Sequence, residues 1–131
     1  MELAEKMVII MRENNLVSLS APQIGYPFRV ICVDGYPAEV FFNPIPTQFF
    51  EPHSYQMESC GCFPGYEVKI KRPEILEMRF STPDGFMVTK KYVGVSARRI
   101  QHSLDHLEGY DFRDRAIPYH RQQAKKKAQK T

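Results

Sequence analysis

The stretch I-Q-H-S-L-D-H-L-E-G-Y-D, residues 100–111, decides how the rest of the chain has to be arranged. At 100° per residue, Ala97, Ile100, Leu104 and Leu107 fall within one apolar stripe about 80° wide. Arg99, His102 and His106 share a second face, roughly opposite. The pattern predicts one long helix, from about Ser96 to Leu107, stopped by Gly109. An ordinary surface helix sets a fully charged face against its apolar one. Here two imidazoles one turn apart stand in the middle of the polar face, a spacing that lets both rings address one ion. The plain alternative is a pair of solvated histidines.

Cysteines are the next candidates for such an ion. Cys32 lies in the apolar run RVICV and reads as a buried core thiol. Cys60 and Cys62 stand close together in a turn-rich segment, and a C-x-C pair is poorly placed for a mutual disulfide. Two ligand sets stay open on spacing alone. Cys60, Cys62, His102 and His106 would close a tetrahedral site of the structural zinc kind. One cysteine with the two histidines would leave a position for water, as a catalyst needs.

Around this helix the chain supplies strands. Residues 2–13, ELAEKMVIIMRE, carry Leu3, Met7, Ile10 and Met11 at helical spacing and predict a first helix ended by Asn14-Asn15. FRVICVD (28–34) reads as a strand, and VFFNP (40–44) as a short strand ended by its proline. YEVKIKR (66–72) and EILEMRF (74–80) alternate as half-buried antiparallel strands do. The TPDG turn at 82–85 joins the second of these to FMVTKKY (86–92) in a hairpin. Helix, short strands, one long helix and a tail make an α+β fold, mostly antiparallel sheet around the late helix.

Composition bounds the partners. A chain of 131 residues suits one core rather than two. No apolar run approaches the roughly 20 residues a membrane helix needs, so no membrane partner is expected. Acids in MELAEKMVIIMREN exclude a signal peptide there, and no transit peptide is visible. The formal charge of +3 is concentrated: Arg121, Lys125, Lys126, Lys127 and Lys130 give RQQAKKKAQKT +5, which leaves about −2 elsewhere. A near-neutral body with a basic tail argues against a broad nucleic-acid face.

LVSLSAPQIG (16–25), ESCGCFPG (58–65) and QHSLDHLEG (101–109), in that order, resemble the three signature motifs of the peptide deformylases, G-x-G-L-A-A-x-Q, E-G-C-L-S and Q-H-E-x-D-H. The resemblance extends to LAEKM, to the FNP of 42–44 and to ARRIQHSLDHLEG, covering residues 3 to about 115. It implies a deformylase-like domain over 3–115 followed by a basic tail, 116–131. LSAPQIG is more similar to the mitochondrial branch, which implies a mitochondrial protein, with the cytoplasm as alternative. The family's activity is removal of the formyl group from N-formylmethionine at the start of new polypeptides. The implied cofactor is one divalent metal, Fe(II) expected and Zn, Ni or Co as alternatives, held by Cys60, His102 and His106. The Gln23 side-chain amide and the Gly61 backbone N–H would be oxyanion donors. Asp105 and Glu58 match supporting acids that hold the ligands in place. Cys62 stands where the family has serine, as a neighbour rather than a ligand.

The departures from the motifs concern catalysis. The family glutamate after the first histidine, which passes a proton to the leaving amine, is Ser103 here. A serine hydroxyl is short and is no base near pH 7, and general acid–base help is worth about 10²–10⁴-fold. Leu16, Ser18 and Ser59 replace glycines, and Gly61 replaces a leucine. Neither Glu108 nor Glu58 is expected to substitute as base. The expectation is therefore a metal hydrolase of reduced activity, with two alternatives: a non-catalytic binder of formyl-Met peptides, or a structural-zinc interaction module. The tail offers an electrostatic contact with ribosomal RNA.

Overall fold

The computed structural model describes residues 2–60, 65–110 and 112–129. Its keystone is the strand V-I-C-V, Val30–Val33, in which every residue is buried. Side chains alternate across a strand, so continuous burial means that both faces are covered. Ile31 and Val33 pack with the late helix, whereas Val30 and Cys32 pack with the first one. Burial pushes the Cys32 thiol up to about 12, so it stays neutral, its Sγ 3.6 Å from the Met11 sulfur.

The elements run α1 (Glu2–Glu13), β1 (Ser18–Ser20), β2 (Val30–Val33), β3 (Glu39–Ser59), β4 (Glu67–Ser81), β5 (Met87–Val93), α2 (Gly94–Leu107) and α3 (Pro118–Gln129). Short 3₁₀ turns cover Ala21–Ile24 and Phe112–Arg115. The five strands form one sheet in sequence order, each antiparallel to the next. The α+β architecture is thus an antiparallel meander with helices against it. No helix among the described residues is long and apolar enough to cross a membrane.

Two strand expectations need correction. The strand expected to stop at Pro44 instead runs for 21 residues as β3, through Pro44, Pro46 and Pro52. Beyond Phe42 it no longer pairs with β2, so one of its edges is free and a missing N–H costs no ladder bond there. The register against β4 shifts between Phe42 and Ile45, between Pro46 and Gln48, and between Phe50 and His53, which brackets all three prolines. The pair of strands expected on either side of Pro73 is one strand, β4. The β5 partner begins only opposite Ile75, so Pro73 also lies where one side is unpaired.

The core forms where α2 crosses the sheet. Its stripe Ala97, Ile100 and Leu104 is buried against Ile31, Val33, Phe41, Leu76, Met78, Phe80 and Tyr92. Phe41 meets Phe80 and Tyr92 edge-on, with centroids 4.7 and 5.6 Å away, the geometry that ring quadrupoles favour. On the other side α1 buries Ala4, Met7 and Met11 against Leu19, Val30, Cys32 and Val40. A third cluster joins Val68 and Ile70 of β4 to Phe112, Ala116 and Ala124, and so seats α3.

Candidate metal centre

Three pieces of chain meet at the polar face of α2. Cys60 follows directly on the end of β3, and His102 and His106 come from the middle and end of α2. The Cys60 Sγ and one ring nitrogen from each histidine all lie within 4.8 Å of one another. Between Cys60 Sγ and His106 Nε2 the separation is 3.5 Å. A tetrahedral ion with bonds of about 2.3 Å to sulfur and 2.0–2.1 Å to nitrogen spans an S···N edge of about 3.5 Å. The donor set, one soft thiolate and two imidazoles, fits a borderline divalent metal.

The third piece is the turn after β1. Gln23 Oε1 accepts hydrogen bonds from the Ser20 backbone N–H at 2.8 Å and from the Ser20 hydroxyl at 2.9 Å. With its oxygen held in this way, the amide presents its donor end, and Nε2 lies 3.9 Å from Cys60 Sγ. Gly25 closes the turn at φ 86°, a conformation in which a side chain would be strained.

Beneath the ligands lies a buried ionic cluster. Arg72 donates from Nε and Nη2 to the two Glu58 oxygens at 2.6 and 3.0 Å, and from Nη1 to Asp105 Oδ2 at 3.0 Å. Arg98 donates to Glu58 and to the carbonyls of Ser54 and Ile70. Arg115 pairs with Asp105 at 2.7 Å. His102 Nδ1 lies 3.2 Å from Glu58 Oε1. Facing a carboxylate, that nitrogen is the donor, which leaves the Nε2 lone pair for an ion. Burial alone would raise the Glu58 carboxyl. The hydrogen bonds from His102, Arg72 and Arg98, with the charge of Arg72, outweigh it and bring the pKa down to about 2. Glu58 therefore stays ionised while nearly sealed from water.

Several residues singled out in the sequence come together here and others stand apart. Cys60, His102, His106, Gln23 and Glu58 share the site. Asp105 touches Arg72 and Arg115, so its hold on the histidines is indirect, through Arg72 and Glu58. Gly61 and Cys62 lie outside the described residues. The Glu108 carboxylate is turned away to Arg29 at 2.9 Å. The three arginines went unforeseen, although one left a trace. In YEVKIKR, Val68, Ile70 and Arg72 occupy alternate positions and all three are buried, so the strand period itself places a guanidinium inward.

A model of the family described as polypeptide deformylase matches residues 1–122. The chain belongs to the polypeptide deformylase family. A peptide deformylase of Dictyoglomus thermophilum is 39% identical over 125 residues, with 88% of this chain and 76% of the relative covered. Peptide deformylase 2 of Gloeobacter violaceus is 34% identical over 120 residues, 87% of this chain but 64% of its own length. The chain thus spans about two thirds to three quarters of these relatives. Among solved structures, a Plasmodium falciparum peptide deformylase in complex with an inhibitor superposes with a TM-score of 0.89 at 29% identity, covering 98% of this chain and 81% of that one. A peptide deformylase of Synechococcus elongatus in complex with actinonin gives 0.89 at 29% identity, with 97% and 74% covered.

In this deformylase-family chain the site opens onto a cavity of about 460 Å³. Cys60, His102 and Gln23 line it, together with Leu16, Ser18 and Ser59. Ser103 does not line it. Its side chain is fully buried and its Oγ has no hydrogen-bond partner among the described residues.

Proposed function

We propose that this chain is a metal-dependent hydrolase that takes the formyl group from N-formylmethionyl peptides, and that it works slowly. The observation that supports this most is the convergence of Cys60, His102 and His106 beside an open cavity that Cys60 and His102 line. A closed site would have no room for a reactant. The divalent ion those residues would hold, Fe(II) in our reading with Zn, Ni or Co as substitutes, supplies Lewis acidity and an acidified water. Everything else falls to the chain. Gln23 offers an N–H, already oriented by Ser20, where negative charge develops on the formyl oxygen. In our assignment the Gly61 backbone N–H is its partner donor. Glu58 keeps His102 in the tautomer that binds, and Asp105 keeps Arg72 aligned on Glu58.

What the chain lacks is a proton carrier. Ser103 stands at the motif's glutamate position, is sealed from the cavity and has no carboxylate to lend. Activity on a formyl-Met tripeptide is expected to be low and to rise by about 10²–10⁴-fold in Ser103→Glu. Full activity of the unaltered chain, with no gain in that variant, would show that another group moves the proton. The buried, uncharged Ser103 also favours a second reading, in which the chain binds formyl-Met peptides without cleaving them. Tight peptide binding by both forms with no turnover by either would establish it. The structural-zinc reading requires Cys62, and metal content after Cys62→Ala decides it: retention is expected.

Two finer assignments belong to the same proposal. The exposed Lys125, Lys126 and Lys127 of α3 are the contact we assign to ribosomal RNA. The mitochondrion is the compartment we assign from the LSAPQIG motif, and fractionation of cells expressing the tagged chain tests it.

A further inference from the structure

The cavity beside the ligand triad contains a charge for which the proposed chemistry has no use. Arg99 lies one turn before His102 on α2, and both line the cavity. Residues three apart on a helix have Cβ atoms about 5–6 Å apart, so whatever occupies the triad is within reach of the Arg99 guanidinium. Arg99 is half-buried, and among the described residues it has no hydrogen bond, ion pair or ring contact. Its neighbour Arg98 is in a different position, bound to Glu58 and two carbonyls and therefore already neutralised.

One other unspent charge faces the space. Glu74 of β4 lines the cavity too, and no ion pair joins it to Arg99 among the described residues. The strand approaches α2 there through Gln101, whose Nε2 donates to the Pro73 carbonyl at 2.9 Å. Gln101 is about 200° around the helix from Arg99, so this corner meets another side of α2. Leu16, Val17, Met57 and Val95 supply apolar wall. A half-buried guanidinium with unspent donors can grip a planar carboxylate through two parallel N–H···O bonds, and a carboxylate is the anion a peptide side chain carries.

We propose that Arg99 makes this cavity selective for peptides with an acidic side chain at the second residue, the carboxylate resting on the guanidinium while the acyl group lies at the triad. The proposal rests on the reading of the triad as a hydrolytic centre and adds the class of substrate. Equilibrium binding to the zinc-loaded protein tests it without any turnover. The probes are fluorescently labelled N-formyl tripeptide amides, Met-Ala-Ser, Met-Glu-Ser and Met-Lys-Ser, whose blocked C-termini remove the competing carboxylate. The acidic probe should bind about tenfold more tightly than the neutral one, and salt should erode the difference. Arg99→Gln should abolish the preference, Arg99→Glu should transfer it to the lysine probe, and Glu74→Gln should enlarge it. Metal content and circular dichroism check that each variant is folded. Equal binding of acidic and neutral probes, or a preference that survives Arg99→Gln, overturns the proposal. An acidic preference with no turnover of any probe would sink the hydrolase reading and leave the role of Arg99 standing. Turnover with no preference would do the reverse.

Discussion

Glu58 is the residue on which most of the site depends, because four separate requirements meet at its two oxygens. It orients His102, neutralises Arg72, anchors Arg98 and keeps its own charge under burial. Removing one partner of a buried ionic pair leaves the other uncompensated, at a cost of about 3–5 kcal/mol. Glu58→Gln is therefore expected to be strongly destabilised in urea unfolding and to bind metal more weakly. The same carboxylate sets an acid limit. Its folded pKa is lowered from 4.5 to about 2, so its contribution is full above pH 4.5 and is lost as pH falls towards 2. That contribution is on the order of 3 kcal/mol. Thermal melts of the chelated protein between pH 6 and pH 2 should show the loss, and Glu58→Gln should flatten it. The three residues of the candidate metal centre were legible in the sequence because imidazoles and thiols are few and their motifs run in order, and the structure brings their ligand atoms together. Arg72, Arg98 and Arg115 were not, since an arginine's pairing depends on which acids the fold brings to it.

At the level of elements, legibility followed periodicity. α1 and α2 declare their apolar stripes, and the hairpin between β4 and β5 declares its turn. The length of β3 was hidden, because proline reads as a stop unless it is known that the strand's second edge is unpaired. The docking of α3 was hidden for a different reason. Ala124 is its one buried side chain among the described residues, helped by the Tyr66 hydroxyl on the Arg121 carbonyl and by Tyr55 against the His120 ring. A single alanine in a run of polar and basic residues is a weak signal. The structure nonetheless seats that alanine with Val68, Ile70 and Phe112. This separates two kinds of change in α3. Ala124→Glu puts a charge into an apolar contact and should cost about 1–3 kcal/mol in thermal unfolding. Reversing the exposed Lys125, Lys126 and Lys127 to glutamate should leave stability within about 0.5 kcal/mol. The lysine reversal should weaken a ribosomal association in a salt-dependent way, as read by co-sedimentation. Unchanged association in that variant would remove the assigned role.

For the molecule as a whole, the sequence defined an α+β fold with a central helix, and the structure adds how tightly that helix is tied in. Cys60 and His106 are 46 residues apart along the chain and 3.5 Å apart at their ligand atoms. An ion that binds only the folded arrangement adds its binding free energy to stability. At a free metal concentration a hundredfold above Kd the gain is about 2.7 kcal/mol. Zinc titration followed by thermal melts should raise Tm accordingly, and Cys60→Ala should remove the rise. Because the end of β3 and the middle of α2 supply the ligands, the ion would be a rivet driven last. A half-assembled chain could not retain it, so reactivity would be withheld from every immature form and granted only to the finished molecule.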